Sequence, residues 1–327
     1  MKKATLRQYG EYFVFRVIVS LVEILPARAC DRCATLLAGL IVRLPRKLIR
    51  YQVAAENIRR AAGQHLSDQQ VRRLIVRMWR HLFLLVTEII QQPRRLHLRT
   101  VCDQIDFRNK EQVVTAFLSG RPVILLSGHF GNWEMAASVF GHFGFSMGVI
   151  GRKLDNPLLD RWFTEFRRST GHATVEKKGG YDDMLARLSN RGALALLVDQ
   201  DAGPSGIFVN YFGHPASTHK SIALLALEYN ALLCVGYALR KEDERLENGW
   251  PKFELGCETI LDPLECRTDD PVRELTEAYT SALERVVRRA PEQYFWLHRR
   301  WKSVPRRRKS AAGPPAVTDE VTLRKAG

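Results

Sequence analysis

The chain has 327 residues, 46 % of them hydrophobic and 26 % charged. That is enough apolar side chain for one sizeable core or two small ones, and too much for general disorder. The formal net charge is +15 and sits at the ends: residues 1–100 carry 19 Lys/Arg against 6 Asp/Glu, residues 299–327 carry 9 against 2, and the stretch between is net negative. Such ends attract anionic lipid, nucleic acid or an acidic protein. Aromatic residues interleaved with Lys/Arg are sparse outside "YFWLHRRWK", which argues against nucleic acid.

In chain order, "EYFVFRVIVSLVEILP" puts Arg16, Ser20 and Glu23 on one side of a helix whose remaining surface is Phe, Val, Ile and Leu. A second apolar stretch, "CATLLAGLIVRLP", follows a break with Pro and Arg. Neither reaches the roughly 20 uninterrupted apolar residues of a spanning helix. Residues 1–50 therefore read as amphipathic helices lying in a membrane interface, with an ordinary helix packed on the core as the alternative. Arg16 and Glu23 also interrupt any signal-peptide reading. Cys30 and Cys33 form a C-x-x-C with no second pair at zinc-ligand spacing, so the six cysteines read as reduced structural thiols.

Ser67 and Gln70 predict a capping box, followed by Val71, Leu74, Ile75, Met78, Leu82, Leu85 and Ile89 at helical spacing and closed by Pro93. The opposite face carries Arg72, Arg73, Arg77 and Arg80 and either extends a basic anchoring surface or is simply solvated. From about residue 101 the period changes. Strands are predicted at "PVILLS" (122–127), "FSMGVI" (145–150), "ALALLV" (193–198) and "LLCVGYAL" (232–239). Between and after them, helices are predicted from Asn156-Pro157 to Gly171, from Ser217 to Glu228, and from Asp270-Pro271 onward. The alternation predicts an α/β fold, a mixed and largely parallel sheet flanked by helices. Three regions follow: membrane-associating helices over 1–50, an α/β domain with a helical lead-in over 51–304, and a disordered basic tail over 305–327.

Loops leaving the carboxyl ends of strands are where open α/β sheets bind ligands. In "VILLSGHFGNWEMAA", His129 lies in such a loop and Glu134 in the first turn of the next helix. A carboxylate on one ring nitrogen would fix the imidazole tautomer and raise the basicity of the other nitrogen, giving a base for a hydroxyl proton. The same spacing also suits a plain capping contact. Arg152 follows the second strand, placed for a phosphate or carboxylate or for solvent. Asp199 and Asp201 end the third strand, and a D-x-D there could hold a divalent metal and a nucleotide sugar, as in a glycosyltransferase. No Walker A, G-x-S-x-G, H-E-x-x-H or G-x-G-x-x-G motif occurs.

Taken together, "LLSGHFGNWE", "GRKLDNPLLDRWFTEFRRSTG", "LLVDQDAGPSGIFVNYFGHPAST" and "PEQYFWLHRRWK", spread over residues 50 to 302, resemble the late acyltransferases of lipid A biosynthesis. These belong to the lysophospholipid acyltransferase superfamily, and the mannoside acyltransferases of mycobacteria look similar. The resemblance implies that His129 is the general base of acyl transfer and that Glu134 orients it. It implies that Arg152 binds substrate phosphate or positions the acceptor and that Asp199 and Gln200, the family's D-Q dipeptide, lie near the site in a structural or substrate-binding role; Asn156 is a further substrate-binding candidate, and no metal or cofactor is expected. The implied co-substrate is a thioester of acyl carrier protein or coenzyme A. The implied setting is anionic lipid at the cytoplasmic face of a bacterial inner membrane, with the protein acting as a monomer. One departure is His219-Lys220-Ser221 after "PAST", where a glycine is commoner in the family.

Overall fold

In the computed structural model, which describes residues 4–305 other than 64 and 178, the first hundred residues build four helices. These are α1 (Leu6–Ile24), α2 (Ala27–Ile41), α3 (Tyr51–Ala62) and α4 (Asp68–Arg95). The predicted capping box forms, with Ser67 Oγ accepting from the Gln70 N–H and the Gln70 side chain accepting from the Ser67 N–H. Pro93 does not close the segment as predicted; α4 runs through it to Arg95. Proline in the final turn removes a single helical donor, and the buried run Ile89–Gln92 holds the turn in place.

Helix α2 packs on α4 through Ala27, Cys30, Ala34 and Ala38, a stripe of small residues that lets the two axes approach closely. Helix α1 behaves differently. It rests on α4 and α8 (Pro157–Ser169) through a narrow line in which only Val19 is fully buried and Tyr12, Phe15 and Val22 are partly so. Leu6, Phe13, Val14, Val17, Ile18, Leu21 and Ile24 are left exposed. No helix among the described residues is long and apolar enough to cross a membrane.

The α/β part runs α5 (Val101–Gln104), β1 (Ile105–Arg108), α6 (Lys110–Leu118), β2 (Val123–Ser127), α7 (Trp133–His142), β3 (Met147–Gly151), then α8, β4 (Ala173–Glu176), α9 (Tyr181–Ser189) and β5 (Ala193–Leu197). A hairpin of β6 (Ile207–Tyr211) and β7 (His214–Thr218) follows, then α10 (Ser221–Tyr229), β8 (Leu232–Arg245), β9 (Pro251–Leu261) and α11 (Pro271–Arg289). The main sheet has the order β1-β9-β8-β2-β5-β3-β4. Every neighbouring pair is parallel except β8 and β9. The expected mixed, largely parallel α/β sheet is therefore present.

Strand β2 is buried along its whole length, as its unbroken apolar run requires for a central parallel strand. Its side chains alternate. Ile124 and Leu126 join the core under α3, α4, α10 and α11, whereas Val123 and Leu125 face α6 and α7. Each such aliphatic side chain contributes about 1.5–3 kcal/mol on burial. The helix predicted from Ser217 instead begins at Ser221, because Ser217 belongs to β7, where its hydroxyl donates to the Gly203 carbonyl. All six cysteines are free. The tail expected over 305–327 lies, but for its first residue, outside the described residues.

Candidate active site

Strands β2 and β5 are adjacent and parallel, with Ser127 opposite Leu197. Two residues further along each chain come His129 and Asp199, so the register delivers them side by side at the carboxyl edge of the sheet. Asp199 Oδ2 accepts from the His129 backbone N–H at 2.9 Å, and its Oδ1 lies 2.8 Å from Nδ1 of the ring. Accepting from Nδ1–H selects the tautomer whose Nε2 carries a lone pair. The His129 side chain keeps 19 % of its surface accessible, while that of Asp199 keeps 1 %. Burial alone would lower the pKa of His129, but the Asp199 carboxylate outweighs it and raises it above 6.5. Burial likewise pushes the Asp199 carboxyl up, and the His129 ring and N–H more than offset this, holding it at about 2.

The loop carrying His129 is built rigidly. Gly131 has φ +57°, and a Cβ there would run into the Ala238 carbonyl, so the position demands glycine. The Gly131 N–H donates to the Gln293 carbonyl and the Asn132 N–H to the Ala238 carbonyl. Asn132, fully buried, caps α7 through the Met135 N–H and donates its amide to Glu88. Glu88 also pairs with buried Arg240 at 2.5 Å, and Arg240 lies 3.0 Å from Nδ1 of His81. Burial, reinforced by Arg240, lowers the pKa of His81 well below 6.5 and keeps its ring neutral. Gln293 exchanges two hydrogen bonds with the Arg240 backbone.

Glu134 makes no hydrogen bond to His129, as the orienting role expected from the sequence would require; its charge adds to that of Asp199 in raising the pKa of the ring. Its buried carboxylate is taken by Arg167 of α8, whose Nη2 and Nε donate at 2.5 and 3.1 Å. Burial lowers the pKa of Arg167 and Glu134 more than restores it. The partner of His129 is Asp199, which the sequence offered as a substrate-binding or metal-binding residue. The lateral pairing of β2 with β5 decides this, and spacing along the chain cannot reveal it.

The remaining candidates separate. Arg152 is highly exposed, pairs among the described residues with exposed Asp155 at 3.1 Å, and stands on the wall of the cavity that His129 faces. Gln200 is on the same wall. Asn156 is buried and turned elsewhere, capping α8 through the Leu158 N–H and donating to the Gln8 carbonyl and Glu11 of α1. Asp201 accepts from Gly203 N–H and from both the N–H and hydroxyl of Ser303. The two carboxylates of the D-x-D are thus spent on different protein donors. Among the described residues, no group of three His, Cys, Asp or Glu side chains converges as a metal site would require. Sequence reasoning gave His298 no role, although it lay in the most distinctive motif; its ring packs edge-on to His129 with centroids 4.7 Å apart.

His129 opens onto a cavity of about 680 Å³ whose wall includes Trp133, Arg152, Phe163, Lys177 and Gln200. Trp133, Ile150, Arg167 and Leu197 are shared with a narrow space beneath α7. That space in turn shares Leu125, Phe140, Gly236 and Leu255 with an inner cavity of about 290 Å³ lined by Phe107, Val113, Val139 and Phe143. The chamber at His129 and the apolar cavity against the sheet therefore flank one narrow space, which the Glu134–Arg167 pair also lines.

Comparison with known proteins fits this arrangement. The chain is 31 % identical over 188 residues to the lipid A biosynthesis lauroyltransferase of Escherichia coli K12, covering 57 % of this chain and 58 % of that protein. It is 24 % identical over 259 residues to the lipid A biosynthesis palmitoleoyltransferase of the same strain, covering 78 % and 80 %. It is 23 % identical over 231 residues to the phosphatidylinositol mannoside acyltransferase of Mycobacterium tuberculosis CDC 1551, covering 69 % and 67 %. The chain thus spans about three fifths of the length of the lauroyltransferase it matches. The family model described as bacterial lipid A biosynthesis acyltransferase matches residues 1–303, and the chain belongs to that family.

Proposed function

We propose that this protein is an O-acyltransferase that moves a fatty acyl chain from a thioester to a hydroxyl of a lipid A precursor or a related membrane glycolipid. One observation carries the reading: a carboxylate-held histidine faces a chamber that is separated by one narrow space from an apolar cavity against the sheet. In this account Nε2 of His129 takes the proton of the acceptor hydroxyl as its oxygen bonds to the thioester carbonyl carbon. The carbonyl electron pair moves onto oxygen, returns as the C–S bond breaks, and the thiolate leaves with the proton from His129. Asp199 keeps the ring in the correct tautomer and stabilises the imidazolium formed midway. Glu134 and Arg167 line the narrow space between the chamber and the apolar cavity.

The chamber suits an anionic acceptor. Arg152, Lys153 and Lys177 line it alongside Asp160 and Glu176, and with Lys153 paired to Glu176 the anion-binding charge rests on Arg152 and Lys177. The apolar cavity suits the hydrocarbon, where each buried methylene is worth about 0.8 kcal/mol. The exposed apolar surface of α1, continued by Leu36, Leu37, Leu40, Leu44 and Leu48, exceeds what a soluble surface ordinarily leaves open. Exposed Arg16, Arg28, Arg32, Arg43, Arg46 and Lys47 accompany it. Such a face lies in a lipid interface, here the inner membrane surface, and the basic ends would also draw in an acidic acyl carrier protein. Helix α1 adjoins the chamber through its packed side, where Phe15 lies with ring centroids 6.5 Å from Phe163, which lines it. Incubation with a dodecanoyl thioester and a bacterial membrane lipid extract, followed by mass spectrometry, tests the reading; lipids that gain no ester-linked chain would refute it.

A further inference from the structure

Resting on that acyl-transfer reading, we propose that Gln200 is a further catalytic residue, its side-chain amide donating to the oxyanion of the tetrahedral intermediate, and that His298 is the positioning residue that aims it. The first ground is the chemistry's need for a donor. Transfer to a hydroxyl builds negative charge on the acyl oxygen, and donors fixed in advance around that oxygen usually supply the largest share of catalysis. A loop after a strand commonly offers its own backbone N–H groups. Here three of them are spent, that of His129 on Asp199, that of Gly131 on the Gln293 carbonyl, and that of Asn132 on the Ala238 carbonyl. Arg167, also at the chamber, is committed to Glu134. A side chain on the wall that His129 faces adds a donor to those the loop has left.

Gln200 is such a side chain. It follows Asp199 directly and lines the same chamber as His129. Its Nε2 lies 3.4 Å from Nε2 of His298. An amide nitrogen only donates, so the imidazole nitrogen accepts and one of the two amide protons is fixed on His298, which sends the other away from it. His298 is suited to accept. Burial, and then the neighbouring His129, bring its pKa down to about 4, so the ring stays neutral when His129 takes up a proton. Its own place is secured on both sides. Asn57 of α3 donates to the carbonyls of Trp296 and His298 at 2.7 and 2.6 Å, and the His298 ring packs edge-on against Phe295, with centroids 4.6 Å apart.

The experiment compares Gln200→Leu, His298→Leu and His298→Gln with the wild type, using a radiolabelled dodecanoyl thioester and membrane lipid extract. Circular dichroism and thermal melts establish that each variant is folded. The proposal expects Gln200→Leu to lower kcat roughly 10²- to 10³-fold with KM for the thioester within about threefold. His298→Leu should lose about tenfold in kcat, and His298→Gln, whose amide oxygen can accept near the position of Nε2, should recover most of it. The pH midpoint of the Gln200→Leu variant should match the wild type, because His129 and Asp199 are untouched. A folded Gln200→Leu variant with kcat within about threefold of wild type, or with the whole loss in KM, would overturn this inference alone. A wild type that transfers no acyl chain would overturn the function it rests on as well.

Discussion

Asp199 holds His129 at two points, the backbone N–H through Oδ2 and the ring Nδ1 through Oδ1. Two contacts from one buried carboxylate fix both the position and the tautomer of the ring. Asp199→Asn preserves shape but removes the charge and lets the ring flip to the unproductive tautomer. We expect kcat to fall roughly 10²- to 10⁴-fold, with little change in KM, as measured by steady-state acyl transfer.

The pH dependence follows from the same pair. His129 is the base only when neutral, and Asp199 raises its pKa, so activity should climb with pH through a midpoint above 6.5. In Asp199→Asn, burial is no longer outweighed and the midpoint should move down. Stability responds in the opposite sense to activity. Because the pKa of His129 is raised on folding, its contribution is full below 6.5 and is lost as pH rises through the folded value. Because Asp199 is depressed to about 2, its contribution is present above 3.8 and is lost as pH falls toward 2. Thermal melts of wild type and Asp199→Asn should therefore differ most between those limits and converge toward either extreme.

Glu134 sits in the same sequence motif as His129 and yet its prediction differs. Removing its charge leaves half-buried Arg167 without its partner, so Glu134→Gln should destabilise the fold by about 1–3 kcal/mol in urea unfolding. Its pH–activity midpoint should move down less than that of Asp199→Asn, because Glu134 adds less than Asp199 to the rise of the His129 pKa. Restored stability in the double variant Glu134→Leu/Arg167→Met would confirm that the loss came from a stranded charge.

Much of the fold could be read from the chain because local physics specified it. The strand ending at Ser127, the cap at Ser67 and the Asn156-Pro157 start of α8 each depend on residues within a turn of one another. What could not be read depends on lateral neighbours. Whether β2 lies beside β5 or another strand is not encoded near His129, yet it decides that Asp199 rather than Glu134 reaches the ring. The β6–β7 hairpin was hidden for a related reason: its strands are short, and Ser217 looks like a helix cap until its hydroxyl is seen bonded to Gly203. Asn156 shows the converse. A cap residue in a substrate-like motif was given a binding role, but its amide ties α8 to α1.

The apolar cavity predicts chain-length selectivity. A Cβ at Gly236 would stand 3.3 Å from Leu125 Cδ1, and both residues line the narrow space as well as the inner cavity. Gly236→Val should shift preference toward shorter acyl chains. Each methylene excluded costs about 0.8 kcal/mol, roughly fourfold in kcat/KM. Competition between thioesters of different length in one reaction, read by mass spectrometry, gives the ratio directly.

The oily face of α1 predicts membrane attachment. Phe13→Glu combined with Leu21→Glu changes residues that are 69 % and 53 % exposed, so the melting temperature should hardly move. Cosedimentation with vesicles rich in anionic lipid should fall by tenfold or more.

The central claim is tested most directly by measuring transfer of a radiolabelled dodecanoyl group from its thioester to membrane lipid by wild type and by folded His129→Ala. The account predicts an alkali-labile lipid ester from the wild type and a loss of at least a thousandfold in the variant. Near-normal ester formation by His129→Ala would contradict it.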